Sequence, residues 1–245
     1  MTVGASGLPR DAVPAAFDVG AKSYDRLVGA NPGYHAHLRM SALRLRLPRD
    51  GAGLRLLDAG CGTGASTAAL LAAAPLADIV AIDASSQMLA QAKAKDWPES
   101  VRFVHTTVED MAAAGVQGPF DAILAAYLLR NVADQGRQLR AFRNMLVPGG
   151  TLAVHEYSVR DSVVARAIWN AVCWSIIIPL GKVTSGDATL YRHLWRSVSD
   201  FDGVAAFERR LRTAGFDGVH TEPMTGWQRD VVHTFLADVP TREGT

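Results

Sequence analysis

A glycine-rich run at the junction of an apolar stretch and an Ala/Leu-rich stretch constrains the fold of this chain more than any other feature. The run reads DAGCGTG over residues 58–64, after the apolar residues 54–57 and before the helical pattern 66–74. Glycines at a strand-to-helix junction let the backbone turn tightly and approach a ligand. The free N–H groups of the helix start can hold a carboxylate. The run therefore predicts an α/β unit that binds a ligand at its turn.

Strand and helix patterns alternate from this point onward. The predicted strands are 54–59, 78–82, 101–104, 120–125 and 151–157, and the predicted helices are 66–74, 85–95 and 135–146. An apolar insertion at 163–183, a helix at 203–214 and strands at 216–221 and 231–237 complete the pattern. Such alternation forms parallel sheets with right-handed crossovers. The chain is predicted to be an α/β protein with a Rossmann-like, doubly wound, mostly parallel seven-stranded sheet, a C-terminal antiparallel strand and a helical insertion.

The length of the chain, 245 residues, fits one α/β domain with insertions. We expect a flexible N-terminal arm at 1–20 and a single domain at 21–245, with the helical insertion at about 160–200. The first residues lack the hydrophobic core of a secretory signal. No run reaches the ~18 apolar residues of a spanning helix, because Arg166 and Asn170 interrupt the nearest candidate at 165–180. A cytoplasmic protein is expected.

Charge and cysteine usage argue against several classes of protein. The net charge is +1 and the basic residues are scattered, so no nucleic-acid partner is expected. Cys61 and Cys173 have no CxxC partner, which argues against a disulfide framework or a zinc site and fits a reducing compartment. His35 and His37 are too isolated for a metal site, and no metal is expected.

Two acidic residues stand at the ends of the first two predicted strands. Asp58 could pair with an amino group of a ligand, and Asp83 is placed to hydrogen-bond two ribose hydroxyls. A rival interpretation is a nicotinamide or flavin enzyme, since the glycine run with Ala65 also satisfies the relaxed dinucleotide fingerprint. The additional Gly64 and the two closing strands argue against it. A cofactor-binding protein without catalysis is a further alternative.

The segments LLDAGCGTGAST and AIDASSQMLAQAKAK resemble the first two cofactor motifs of class I S-adenosylmethionine-dependent methyltransferases. The resemblance implies S-adenosylmethionine as the methyl donor and S-adenosylhomocysteine as the product. In that family the glycine loop approaches the methionine part of the cofactor and the acid after the second strand binds the ribose. Those roles fall here on Asp58, Gly60, Gly62, Gly64 and Asp83, with Ser85 and Met88 beside the adenosine.

The chain departs from this family after the third predicted strand. Thr107 stands where an acid that accepts the adenine amino group is expected. A threonine hydroxyl accepts a hydrogen bond more weakly than a carboxylate does. The backbone N–H of Val108 is a second candidate contact to the adenine ring, and Glu109 is the residue that could compensate for the missing acid.

The segment RNVAD at 130–134 resembles the ubiquinone/menaquinone biosynthesis C-methyltransferases, which carry an Arg-Asn pair at this point. The similarity extends over roughly residues 20 to 236 and is strongest in the Rossmann half. It implies C-methylation of a (poly)prenylated quinol such as demethylmenaquinol. The alternative is O- or C-methylation of a soluble phenolic or another secondary metabolite, which the altered C-terminal turn at 225–227 keeps open.

Four residues are candidates for catalysis. Arg130 could stabilise a phenolate through its permanent charge, and Asn131 could orient the ring hydroxyl or the cofactor. His155, Tyr191 or a water held by such groups could accept the ring proton that leaves after methyl transfer. The ordinary alternatives are an Arg130–Asp134 ion pair and a structural role for His155.

The apolar insertion carries Trp169, Cys173, Trp174 and a run of three isoleucines at 176–178. One interpretation is a helix that completes the core. The other is a lid that walls an apolar acceptor pocket, with shallow contact to a membrane surface. The expected partner is an apolar phenolic or quinol small molecule. The sequence leaves homodimer formation and peripheral membrane association open.

Overall fold

The computed structural model describes residues 13, 15, 16, 18, 33–185 and 188–241. Four of these belong to the predicted N-terminal arm, and all four are helical. Val13, one of the four, is buried. At these four positions the chain is helical, and the flexible arm stays a prediction because the rest of residues 1–20 lies outside the described residues.

Seven strands form one sheet in the order β3-β2-β1-β4-β5-β7-β6. They are β1 (Arg55–Ala59), β2 (Asp78–Asp83), β3 (Val101–His105), β4 (Phe120–Ala126), β5 (Leu146–Tyr157), β6 (Asp217–Pro223) and β7 (Val232–Asp238). Strands β1 to β5 pair in parallel, and β7 runs antiparallel to both of its neighbours. The predicted fold, including the single antiparallel strand near the C-terminus, is confirmed.

The strand order reverses between β1 and β4. From β1 the chain proceeds outward to β2 and β3, and then returns to place β4 on the other side of β1. In doubly wound sheets the loops at the carboxyl ends of such a strand pair diverge and leave a crevice. The glycine run follows β1 and the Arg-Asn pair follows β4, so the fold brings both motifs to the same crevice.

Helices cover both faces of the sheet. They are α1 (Tyr34–Arg44), α2 (Ala65–Ala73), α3 (Ser86–Lys93), α4 (Gln135–Met145), α5 (Val163–Val172), α6 (Ile178–Ser185), α7 (Thr189–Asp200) and α8 (Val204–Thr213). Short 3-10 turns lie at Arg49–Gly51, Leu129–Asn131 and Gly226–Gln228. Ser85 caps α3 as predicted, since its hydroxyl accepts a hydrogen bond from the backbone N–H of Met88.

Two hydrophobic clusters sandwich the sheet. Successive side chains of a strand point to opposite faces, so Leu56 and Leu57 of β1 enter different clusters. Leu56 packs with Leu38 of α1 and other residues of α1 and α2. Leu57 belongs to the cluster of Phe142 in α4 and Phe207 in α8. The central strands are thus buried on both sides, which is typical of parallel sheets and holds the crevice rigidly.

The Pro148-Gly149-Gly150 segment behaves differently from its predicted role as a simple helix stop. Helix α4 ends at Met145, and the segment itself lies within β5, which begins at Leu146. The pairing register of β4 and β5 shifts between Phe120 and Ala122, where this segment is accommodated. Gly149 has a φ of 77°, which a residue with a side chain rarely adopts.

The insertion forms a helical segment from Val163 to Val183, with a π-helical stretch at Cys173–Ile177 between α5 and α6. The sequence predicted no segment long and apolar enough to span a membrane, and this prediction is wrong. By length and composition alone this helix could span one, with a mean hydropathy of 1.7. Arg166 interrupts the apolar run but does not lower the average below that of a spanning helix. Ala165, Trp169 and Cys173 are buried, and they pack the helix against the domain.

Candidate active site

A cavity of about 490 Å³ opens at the carboxyl ends of β1, β2, β3 and β4. Its wall consists of the glycine loop, the end of β2, the loop after β3 and the segment 126–133 after β4, together with a few residues of the N-terminal part such as Tyr34. Its position at the strand-order reversal is where ligands bind in open α/β sheets. A volume of this size accommodates a small molecule.

Two of the three predicted glycines border the cavity. Gly60 and Gly62 line it with φ values of 78° and 55°, and a Cβ added at Gly62 would meet no atom within 4 Å. Gly64, with a φ of 90°, lies behind the wall, where a Cβ would come within 2.8 Å of Cζ2 of Trp97. The structure thus assigns Gly64 to close packing of α2, and it leaves Gly60 and Gly62 as the glycines that let a ligand approach the backbone.

Asp83 is fixed at the end of β2 by two backbone hydrogen bonds. Gly62 N donates to its Oδ2 and Ser85 N donates to its Oδ1, both at 2.8 Å. Burial raises the pKa of this carboxyl, and the two N–H donors partly offset that effect. Each oxygen keeps a further lone pair for a hydroxyl donor. Asp83 lines the cavity and presents a preorganised carboxylate of the kind that holds ribose hydroxyls.

Asp58 is not brought to the cavity surface. It is fully buried, and its Oδ2 accepts hydrogen bonds from the hydroxyls of Ser66 and Thr67 at 2.8 and 2.7 Å. Burial raises the pKa of Asp58 to about 7, against the effect of these two hydroxyls. Among the described residues its Oδ1 has no hydrogen-bond partner. The structure places this carboxyl beneath the glycine loop, where it ties β1 to the start of α2, and its pairing with a ligand amino group stays a prediction.

The adenosine side of the predicted site is partly as expected. Ser85, Met88, Thr107 and Val108 all line the cavity. The Thr107 hydroxyl is engaged in a local turn, since it donates to Oδ2 of Asp110 at 2.9 Å and accepts from Asp110 N at 3.1 Å. The Thr107 oxygen keeps a second acceptor lone pair, so the hydrogen bond from the adenine amino group stays a prediction.

Two further acidic residues lie on this side, and of the two only Asp18 was not predicted. Glu109, named as the residue that could compensate for the missing acid, also lines the cavity. Asp18 accepts hydrogen bonds from the Ser85 hydroxyl and from Gln87 N. The sequence gives no periodicity or spacing that could have joined Asp18 to α3, because the two are far apart along the chain.

The Arg-Asn pair lies in the 3-10 turn that follows β4, and both residues line the cavity. Arg130 Nη1 donates to Oε1 of Glu156 at 2.7 Å and to the backbone oxygen of Tyr127 at 2.6 Å. The side chains of Arg130 and Glu156 are 6% and 0% exposed. Burial raises the pKa of the Glu156 carboxyl, and Arg130 counteracts that effect. The arrangement is a buried ion pair with its cation at the cavity wall.

Glu156 was not among the predicted residues. The ordinary alternative of an Arg130–Asp134 ion pair is replaced, because Asp134 caps α4 by accepting from Arg137 N at 2.8 Å. The signal that could have found Glu156 is an acid inside the apolar end of β5. A buried acid of this kind requires a cationic partner.

His155 and Tyr191 lie outside the cavity wall. His155 is fully buried in β5, and burial lowers the pKa of its imidazole to about 3. Tyr191 is buried in the cluster of the insertion, with its ring against Gly181. Neither side chain faces the space where a ring proton would be released, so the structure gives no support to these two as proton acceptors.

The insertion contributes no lining residue among the part of the chain that the structure describes. It reaches the cavity wall through a 3.2 Å hydrogen-bonding contact between Asn131 Oδ1 and Nε2 of His193 in α7, and through Tyr127, which packs on its hydrophobic cluster. Aromatic rings line the acceptor side instead. Tyr127 and Tyr34 stack with centroids 5.8 Å apart, and Tyr157 lies 4.8 Å from Tyr127. The insertion lies beside the cavity, and its role as a lid stays a prediction.

No group of three or more His, Cys, Asp or Glu side chains comes together in a metal-binding arrangement within 33–185 and 188–241. Cys61 and Cys173 are both free and buried. The cavity wall combines backbone N–H groups of the glycine loop, the Asp83 carboxylate, further polar side chains and apolar surface. This set fits a nucleoside with an amino-acid tail.

Comparison with known proteins agrees with this geometry. The model of the ubiE/COQ5 methyltransferase family matches residues 8–233. The demethylmenaquinone methyltransferase of Clavibacter sepedonicus is 30% identical over 215 residues, which cover 87% of this chain and 85% of that protein. The ubiquinone/menaquinone biosynthesis C-methyltransferase UbiE of Syntrophotalea carbinolica is 32% identical over 215 residues, covering 86% and 88%.

Solved structures share the fold at low sequence identity. The putative methyltransferase of Haloferax volcanii, solved with its Trm112 activator, aligns with a TM-score of 0.64 at 18% identity and covers 91% of this chain and 97% of that one. The plantazolicin methyltransferase BpumL in complex with SAH aligns with a TM-score of 0.62 at 12% identity, covering 94% and 97%. With the cofactor loop, Asp83 and the Arg-Asn pair at one cavity, these matches show that the chain belongs to the ubiE/COQ5 family and is a class I S-adenosylmethionine-dependent methyltransferase.

Proposed function

We propose that this enzyme methylates a ring carbon of a (poly)prenylated quinol such as demethylmenaquinol. The observation that carries the proposal is the buried Arg130–Glu156 ion pair, which fixes a permanent cation in the cavity wall. The names of the relatives from Clavibacter and Syntrophotalea support the same substrate class. The chemistry expected at each residue follows from its position in the cavity.

The cofactor side is assigned to residues that line the cavity. Gly60 and Gly62 let the backbone approach the methionine part, Asp83 holds the ribose, and Ser85 and Met88 border the adenosine. When bound there, S-adenosylmethionine supplies an electrophilic methyl group. The protein contributes alignment, because in-line transfer requires the acceptor carbon to be held near the methyl group.

Arg130 is assigned to the acceptor. A quinol ring carbon becomes nucleophilic when a neighbouring phenol is ionised, and a guanidinium close to the phenol oxygen favours the ionised form. Glu156 holds the guanidinium in place through Nη1. Asn131, at the next position of the same turn, is assigned to orienting the ring hydroxyl. Electrostatic stabilisation by such preorganised groups is the main contribution a site of this type makes to the rate.

One proton leaves the acceptor per turnover. The ring carbon that gains the methyl group loses its hydrogen, and the C–H electron pair restores the aromatic ring. His155 and Tyr191 do not line the cavity, so we assign this proton to water that reaches the cavity opening.

The proposed function is tested by methyl transfer from labelled S-adenosylmethionine to a reduced demethylmenaquinone analogue. Removing Arg130 alone leaves the Glu156 charge buried without its partner, which can unfold the protein. The informative variant is therefore Arg130→Gln with Glu156→Gln, which keeps the pair uncharged. We expect a rate loss of roughly 100-fold with cofactor binding retained.

The matched control exchanges another ion pair, Arg210→Gln with Asp202→Asn, whose 2.7 Å contact lies outside the cavity. It is expected to keep the wild-type rate. Label in the quinol ring carbon, lost only in the first double variant, supports the proposal. Wild-type enzyme that binds the cofactor but leaves the quinol unlabelled refutes the quinol as acceptor, and soluble phenolic compounds are then the acceptors to test.

We further propose that the insertion helix lies on a membrane surface, where a prenylated acceptor resides. One stripe of the helix packs on the domain, but only 22% of the helix is buried. The outward side exposes large apolar residues, among them Trp174 at 52% and Val183 at 83%. The helix has no Asp or Glu, and its charges are Arg166 and Lys182. An apolar face with basic residues favours shallow insertion among anionic lipids.

Sedimentation with vesicles of equal parts phosphatidylglycerol and phosphatidylcholine tests this placement. The variant Trp174→Ser with Ile176→Ser removes exposed apolar area and should bind vesicles at least roughly tenfold more weakly. Leu43→Ser with Leu76→Ser is the matched control, since both leucines are exposed elsewhere on the domain. A wild-type protein that forms a homodimer through this helix and ignores vesicles contradicts the proposal. Vesicle binding that is lost only in the Trp174/Ile176 variant supports peripheral membrane association.

A further inference from the structure

The backbone of the glycine loop at 60–64 has little rigidity of its own. Gly62 and Gly64 have φ values of 55° and 90°, and glycine adopts such values as readily as the ordinary negative ones. A loop of this kind keeps one shape only where hydrogen bonds and packing select that shape. The contacts that hold the loop therefore decide how well it is prepared for its ligand.

Two hydrogen bonds from other segments hold the loop at neighbouring residues. Gly62 N donates to Oδ2 of Asp83 at 2.8 Å. The ammonium Nζ of Lys95 donates to the backbone oxygen of Thr63, also at 2.8 Å. Thr63 is buried and lines the cavity, whereas Lys95 does not line it. A buried carbonyl needs a donor, and here the donor is a cation that reaches it from outside the cavity wall.

Lys95 reaches Thr63 from a segment whose backbone is itself anchored. Lys95 follows the C-terminus of α3, and its own N–H donates to the backbone oxygen of Ala92 at 3.1 Å. The indole N–H of Trp97 donates to the same oxygen at 2.8 Å, and its ring lies edge-on to Phe103 with centroids 5.3 Å apart. Because this segment is fixed, less conformational entropy is lost when the lysine side chain is held on the loop.

A lysine near the end of a helix also has an ordinary role, which is to stabilise the helix C-terminus through its charge. Lys93, in the last turn of α3, is equally placed for that role. Lys95 differs because it bonds to a residue 32 positions away, in the glycine loop. Lys93 thus provides a comparison within the chain, with the same charge at the same helix end and no such contact to the loop among the described residues.

We propose that Lys95 is a positioning residue that shapes the glycine loop for the amino-acid part of S-adenosylmethionine, acting through Thr63. The inference rests on the assignment of the glycine loop to the methionine part and is independent of the methyl acceptor. Pairing with Lys95 offsets the partial negative charge of the Thr63 oxygen, so the loop N–H groups and the start of α2 can receive the ligand carboxylate. The positive charge of Lys95 beside the loop acts in the same direction.

Two ligands that differ in the amino-acid part test the inference by titration calorimetry. S-adenosylhomocysteine carries this part, and 5′-methylthioadenosine has a methyl group in its place. In Lys95→Met we expect the affinity for S-adenosylhomocysteine to fall roughly tenfold and that for 5′-methylthioadenosine to change less than about twofold. Lys95→Arg keeps a charged donor and should restore most of the affinity. Lys93→Met is the matched control and should bind both ligands as the wild type does.

A loss confined to S-adenosylhomocysteine in Lys95→Met and recovered in Lys95→Arg supports the proposal. Unchanged affinity of Lys95→Met for S-adenosylhomocysteine overturns it. An equal loss for both ligands overturns it as well, because the whole cavity rather than its amino-acid end would then be affected. An equal loss in Lys93→Met has the same consequence, since it would show a general effect of charge at the end of α3.

Gly62→Ala tests the assignment of the loop on which the inference rests. The added Cβ would meet no atom within 4 Å, but a φ of 55° disfavours a side chain, so the loop should lose its shape. We expect weaker binding of S-adenosylhomocysteine and unchanged binding of 5′-methylthioadenosine. Equal weakening of both ligands would show that the loop does not serve the amino-acid part, and the proposal would fail with the assignment. A failure to label the quinol leaves these results untouched, since the titrations contain no methyl acceptor.

Discussion

Replacing Asp58 by asparagine is expected to flatten part of the pH dependence of stability. Asp58 is fully buried, and burial raises the pKa of its carboxyl from the ordinary value of 3.8 to about 7. The hydroxyls of Ser66 and Thr67 oppose this effect but do not cancel it. Asparagine keeps an oxygen for these two donors and removes the titration.

The direction of the stability change with pH follows from the pKa of Asp58 in the folded protein and in the unfolded chain. Because the folded protein holds this proton more tightly than the unfolded chain does, protonated Asp58 favours the folded state at acid pH. This stabilisation is lost as the pH rises through the folded pKa of about 7. Between pH 5.5 and pH 8 the loss is about 2 kcal/mol, at 1.36 kcal/mol per unit. The asparagine variant lacks this loss but places a buried N–H₂ without a partner, which costs about 1–3 kcal/mol at every pH.

The assay is urea unfolding of both proteins at pH 5.5 and pH 8, followed by circular dichroism. At pH 5.5 the variant should be less stable than wild type. At pH 8 the difference in unfolding free energy should have shifted by about 2 kcal/mol in favour of the variant. Contributions of groups that do not interact with Asp58, including the buried His155, are common to both proteins and cancel. Asp134→Asn, the same change at an exposed carboxylate, is the control. An equal difference between wild type and variant at both pH values refutes the assignment of the titration to Asp58.

Three further changes have defined outcomes. Asp83→Ala removes the carboxylate assigned to the ribose and should lower the affinity for S-adenosylhomocysteine by roughly 100-fold in titration calorimetry; an unchanged affinity contradicts that role. Gly64→Ala imposes a φ of 90° on a residue with a side chain and brings its Cβ within 2.8 Å of Trp97. We therefore expect the free energy of unfolding in urea to fall by about 2 kcal/mol. An unchanged free energy would show that α2 shifts to make room for the methyl group. Glu156→Gln leaves Arg130 buried without its carboxylate and should destabilise the fold by about 3 kcal/mol, whereas a neutral effect in the same measurement would show that Arg130 is hydrated.

Local sequence patterns were sufficient to predict the fold and the cofactor-binding side of the cavity. The glycine run and the acid at the end of β2 are local features whose geometry depends on a few neighbouring residues. Asp83 therefore lies beside Gly62 as the strand-to-helix pattern predicts, and Ser85 caps α3. The alternation of strands and helices limits the topology strongly, because parallel crossovers have one hand. The position of β7 followed from the resemblance to methyltransferases rather than from periodicity.

Contacts between segments that are far apart along the chain could not be predicted from local sequence patterns. Arg130 and Glu156 are 26 residues apart, and they meet because β4 and β5 are neighbours in the sheet. The contact of Asp18 with Ser85 likewise has no counterpart in local spacing. The proximity of Gly64 to Trp97, whose ring a Cβ at position 64 would approach within 2.8 Å, is likewise absent from the local pattern. In each case the partner is set by packing in three dimensions, which one sequence does not specify.

The 3.2 Å contact between Asn131 and His193 joins the acceptor rim to the helix that follows the apolar insertion. Two sites that share such a contact exchange free energy, and the exchange is symmetrical. A bilayer that pulls on α7 would alter how tightly the rim holds the acceptor, and a seated acceptor would alter the residence of the enzyme on the bilayer by the same factor.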